Sequence, residues 1–131
     1  MMTPVAVTSV FALCFSILIF YLVLQVVRCR RKYKVGYGDG KHEALSMAIS
    51  AHSNAVETIP LALILMLLLE LNKVSSSLII VLGLLLLVLR IIHVAGMMSS
   101  LGSSFGRTYG TLGSWIIIIL MAVLNLIVVA F

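Results

Sequence analysis

The 131 residues are 63% hydrophobic and 10% charged, carry nine Lys and Arg against four Asp and Glu, and have a mean hydropathy of +1.26. A water-soluble domain of this size keeps too much of its surface wet to hide that much apolar area, so a soluble enzyme is excluded and no nucleic-acid partner is expected. The length fits one integral membrane domain over residues 1–131.

A hydrocarbon core of about 30 Å takes roughly 20 helical residues, and four stretches meet that requirement: 4–27, 44–71, 78–98 and 112–131. Every backbone polar group in lipid must be bonded within its own segment or in a closed barrel, and long Leu/Ile runs lack the alternation of barrel strands. The expected fold is therefore an all-α transmembrane bundle of four helices. The first span has no basic residues before it and no A-x-A-like site after it, so it reads as a retained span, not a signal peptide. Cys14 and Cys29 lie about 22 Å apart along it if it is helical, too far for a disulfide. Neither sits in a CxxC or Cys/His cluster, so no metal site is expected and both read as packing residues.

The loop at 28–43 follows the first span and holds Arg28, Arg30, Arg31, Lys32, Lys34 and Lys41, six of the nine Lys and Arg residues. The excess of cations places this loop in the cytoplasm and both termini outside it. The same run suits contact with anionic headgroups, although orientation alone accounts for most of it. The loop contains Val35-Gly36-Tyr37-Gly38-Asp39, which resembles a potassium selectivity filter. A filter needs an apolar pore helix before it. RCRRKYK precedes this one, and its cations repel an incoming cation. The glycines read as turn residues between two helices.

The second span carries Ser46, Ser50, Ser53, Asn54 and Glu57 at spacings of three and four, along one helix face, with His52 off the stripe. Pro60 cannot bond the carbonyl of Val56, so a kink or local unwinding is expected beyond Glu57. The third span places Arg90 and His93 at i, i+3, with Met97 extending the face. Ionisable groups inside a membrane are functional candidates by default, and a buried guanidinium needs acceptors. Glu57 is the one acid well inside a span, so Glu57 and Arg90 are expected to approach each other. His93 reads first as a satisfied packing residue. In the fourth span Trp115 reads as an interfacial anchor and Asn125 as interhelical glue.

HSNAVETIP (52–60) followed by RIIHVAG (90–96), with YGDG before the second span, resembles the MAPEG family (membrane-associated proteins in eicosanoid and glutathione metabolism), in its bacterial branch. The resemblance implies a left-handed four-helix subunit assembled as a homotrimer in a bacterial inner membrane, with glutathione between neighbouring subunits. It further implies that Arg30, Asn54, Glu57 and Arg90 contact glutathione, that Arg107 stabilises its thiolate, and that Ser50 and His93 support the pocket. Active members of that family usually carry arginine where this chain has Ser50 and often tyrosine where it has Met97; Tyr109 and Tyr33 are the candidates to substitute.

A cation beside a thiol lowers its pKa from about 8.5, so no protein nucleophile is required, which suits a chain without a Ser/His/Asp or Cys/His arrangement. The expected activity is glutathione-dependent transfer to a lipophilic electrophile, or peroxide reduction. The alternatives are a non-catalytic relative that binds a lipid or assists a partner, and a small transporter using Glu57.

Overall fold

The computed structural model describes residues 5–131 as four helices, α1 (Ala6–Tyr33), α2 (Glu43–Leu71), α3 (Ser76–Ser99) and α4 (Phe105–Ala130). All four are long and apolar enough to cross a membrane. Consecutive helices run antiparallel: the end of α2 meets the start of α1 through Glu70, Arg90 of α3 meets Asn54 and Thr58 of α2, and Gly110 of α4 lies on His93 of α3. Helices α2 and α3 are central. α1 packs on both, α4 packs on both, and α1 does not contact α4 among the described residues.

Helix α1 runs six residues past its predicted end, so Arg28, Arg30, Arg31 and Lys32 lie on its last turns. Arg and Lys are good helix formers, and cations are favoured at a helix C-terminus. Lys34 closes the helix with φ of 56°, and Gly38 and Gly40 turn the loop with φ of 64° and 57°. Arg30 Nη1 donates to the carbonyls of Val35 (3.4 Å) and Gly38 (3.0 Å). Two carbonyls that a potassium filter would offer to an ion are thus held by a guanidinium, in a loop outside any span. Tyr33 stacks on His42 with ring centroids 4.0 Å apart, which ties the end of α1 to the start of α2.

The expected unwinding at Pro60 does not occur, since α2 is unbroken through it. Its inward face carries Ala48, Ala51, Ala55 and Ala62, small residues that let neighbouring helices approach closely. Asn125 donates to the Leu65 carbonyl at 3.0 Å and so links α4 to α2. Cys14 and Cys29 are free thiols.

The fourth helix starts at Phe105, seven residues before the predicted 112, and the reason is in its packing. Ser104 caps it by accepting the Arg107 N–H at 3.2 Å, as N-cap serines do. Gly106-Arg-Thr-Tyr-Gly110, read in the sequence as loop, then packs on α3. A Cβ on Gly106 would lie 2.7 Å from the Ile92 carbonyl oxygen, and one on Gly110 would lie 2.6 Å from His93 Cβ and 2.7 Å from its Cα. Gly110→Ala gains up to about 1 kcal/mol of helix propensity, but it forces two backbones apart at an overpacking cost of about 1–3 kcal/mol. The expected outcome is a lower thermal midpoint in detergent.

At the opposite end, α1 begins without a side-chain cap of its own. Glu70 supplies it from α2, accepting the N–H groups of Val7 and Thr8, both at 2.8 Å. An anion at a helix N-terminus is favourable, and losing a cap costs about 1 kcal/mol. Glu70→Ala is expected to lower the unfolding midpoint and to speed amide exchange in the first turn of α1, with α3 and α4 unchanged.

Candidate functional site

The polar residues gather where α2, α3 and the start of α4 meet. Arg90 is 2% exposed. Its Nη1 donates to Thr58 Oγ1 at 2.7 Å and its Nη2 to Asn54 Oδ1 at 2.8 Å. Thr58 Oγ1 in turn donates to the Asn54 carbonyl at 2.7 Å. Asn54 and Thr58 are i, i+4 neighbours on one face of α2, and Arg90 reaches across to both.

This corrects the expected approach of Glu57 to Arg90. With successive residues about 100° apart around the helix, Glu57 points away from the Thr58 face and is exposed, whereas Thr58 is buried. The acceptors for the guanidinium are therefore neutral.

Arg107 is the third residue of α4, not part of the preceding loop as expected. Its Nη1 donates to the carbonyls of Leu101 (3.1 Å) and Gly102 (3.3 Å). Nε and Nη2 make no hydrogen bond among the described residues. The side chain borders two spaces. One is a cavity of about 220 Å³ lined by Ser46, Met47, Ser50, Met97, Leu101 and Arg107. The other is an open cleft of about 590 Å³ along α4, with Thr111, Leu112 and Trp115 among its walls. Ser50 and Met97, the two departures from the family pattern, thus lie in one cavity with Arg107.

His93 is 2% exposed, and its Nδ1 lies 2.9 Å from Thr111 Oγ1 and 3.2 Å from the Arg107 carbonyl. Its Nε2 is buried without a partner among the described residues. Packing is thus only part of its role, because it ties α3 to the backbone of Arg107. Tyr109 turns outward, 55% exposed, with its ring 4.4 Å from that of Phe105. Arg30 belongs to the loop network described above. Within one subunit, Arg30, Asn54, Glu57, Arg90 and Tyr109 do not line the Arg107 cavity.

Thr58, Ser104 and Thr111 escaped the sequence reading. Thr58 was within reach of it, since it stands four residues after Asn54 and so shares its face. Ser104 and Thr111 precede the predicted fourth span at 112–131, where no helical face is defined.

These features define a polytopic helical membrane protein whose buried arginine and polar cavity lie between its second, third and fourth helices. A MAPEG family model matches residues 8–127, and the chain belongs to that family. It is 36% identical over 120 residues to Inner membrane protein YecN of Escherichia coli (strain K12), covering 92% of this chain and 90% of the relative. It matches Inner membrane protein YecN of Escherichia coli O6:H1 to the same extent. The resemblance read from HSNAVETIP and RIIHVAG is borne out.

Proposed function

We propose that the protein binds glutathione at the Arg107 cavity and stabilises its thiolate for attack on a lipophilic electrophile. The observation that carries this reading is the position of Arg107 between a small polar cavity and an apolar cleft. Glutathione offers two carboxylates, an ammonium and a thiol. Ser46, Ser50 and the free nitrogens of Arg107 supply hydrogen bonds and positive charge, and the N-terminus of α4 adds its dipole in the same sense. Leu112 and Trp115 offer an apolar surface along which an electrophile enters from the bilayer.

In this reading Arg30, Asn54, Glu57 and Tyr109 complete the glutathione contacts in a homotrimer, and Arg90, buried and bonded to Asn54 and Thr58, supports Asn54 from within the bundle. The exposed polar stripe of Ser50 and Glu57 supports association, because an acid facing lipid is costly and a second copy would cover it. The basic end of the bundle, with Arg28 through Lys41 and Arg107, lies on the cytoplasmic side of a bacterial inner membrane.

A second reading, a non-catalytic relative that binds lipid or assists a partner, is favoured by Ser50 and Met97. Both line the cavity and neither adds a cation to meet a second carboxylate.

The test is equilibrium binding of glutathione to detergent-purified protein, ultraviolet detection of the thiolate, and conjugation to an aryl halide. Binding with a thiolate band and a thioether product supports the transferase. A co-purifying lipid with neither band nor product supports the second reading.

A further inference from the structure

Arg107 is the group on which the proposed reaction depends, and its backbone is held from both sides by α3. On the amide side, Ser104 Oγ accepts the Arg107 N–H at 3.2 Å and donates to the Gly96 carbonyl at 3.1 Å. On the carbonyl side, Thr111 Oγ1 donates to Arg107 O at 2.7 Å. That bond uses the only proton of the hydroxyl. Its oxygen is then the acceptor for His93, so Nδ1 carries the ring hydrogen and shares it with Arg107 O at 3.2 Å. In the neutral ring with its hydrogen on Nδ1, Nε2 is a buried lone pair with no partner among the described residues.

An apolar side chain at position 93 would avoid the penalty of burying an unpaired acceptor. What it would lose is the bond to Arg107. Glycines make that bond possible. A Cβ on Gly96 would collide with the Arg107 amide nitrogen, and one on Gly110 with His93 itself.

We propose that His93 is a positioning residue: with Thr111 and Ser104 it fixes the Arg107 backbone against α3, and so sets where the guanidinium stands between the polar cavity and the apolar cleft. This rests on the proposed thiolate-stabilising role of Arg107, and it adds a residue that acts through Arg107 without touching glutathione.

The experiment compares the full chain in nanodiscs with its His93→Phe, His93→Asn and Thr111→Val variants. Two quantities are read: amide hydrogen exchange over residues 105–111, and the pH at which the glutathione thiolate band appears. Loss of the clamp is expected to speed exchange in that segment about tenfold or more, leaving the rest of α4 unchanged. It is expected to raise the thiolate midpoint by about one pH unit, a tenfold change in ionisation. Glutathione affinity is expected to stay within about threefold, since the buried His93 lines neither the polar cavity nor the apolar cleft. His93→Asn, whose amide N–H can replace Nδ1–H, should restore both quantities in part.

Unchanged exchange in His93→Phe and Thr111→Val would refute the clamp. Faster exchange with an unmoved thiolate midpoint would show a structural role only and refute positioning. A wild-type chain with protected amides but no thiolate band would remove the glutathione reading, and the positioning role with it.

Discussion

Replacing Arg107 by alanine is expected to remove the thiolate band and to lower the conjugation rate about 10²–10³-fold, the range for losing one preorganised charge-stabilising group. The magnitudes favour a single arginine as sufficient. Lowering a thiol pKa by two units needs about 2.7 kcal/mol of preference for the thiolate. A guanidinium about 4 Å from the sulfur supplies about 4 kcal/mol at the effective dielectric of a protein surface. The fold should survive, because Arg107 is only half-buried and its side chain bonds two carbonyls of an exposed loop. Arg107→Lys keeps the charge but not the planar fork that holds the loop while leaving other nitrogens free. It is expected to retain part of the thiolate band and to bind glutathione more weakly. Thiolate absorbance against pH and single-turnover conjugation check both variants. A normal rate in Arg107→Ala would transfer the role to another cation and end the present assignment.

The helices were legible because apolar runs of about 20 residues have few other uses, and the family was legible in two short motifs. What stayed hidden has physical causes. The start of α4 was misread because Gly106 and Gly110 are turn residues in water but packing residues between membrane helices. Their role depends on α3, which local sequence does not reveal. Glu57 was assigned to Arg90 because a buried cation suggests an anion. Two neutral acceptors four residues apart do the same work, and nothing in the composition of the span sets Thr58 apart. The cap that Glu70 places on α1 joins positions 62 and 63 residues apart, a pairing no local pattern encodes. The opposite case is the loop at 34–40. There the chemistry before VGYGD excluded a channel, and the Arg30 bonds to Val35 and Gly38 show what those carbonyls do instead.

The largest effect on stability is expected at Asn54. Asn54→Leu removes the acceptor of Arg90 Nη2 and leaves part of a buried guanidinium unpaired. A hydrogen bond to a charged group contributes about 1.5–3 kcal/mol, so the single variant should lose roughly that much. Leucine cannot draw water to the site as compensation. Arg90→Met removes the charge together with its need for acceptors, and apolar replacement of a buried charged group is often close to neutral. The double variant Asn54→Leu/Arg90→Met is therefore expected to be more stable than Asn54→Leu alone, with a coupling of about 1–2 kcal/mol in a double-mutant cycle. Glu57→Gln should leave that coupling unchanged, because Arg90 is bonded to Asn54 and Thr58 instead. Unfolding in denaturing detergent measures each corner of the cycle. If Asn54 and Arg90 proved additive while Glu57→Gln removed the stability of the arginine, Arg90 would be paired across to Glu57 after all, and the neutral site built by Asn54 and Thr58 would not be the one the protein uses.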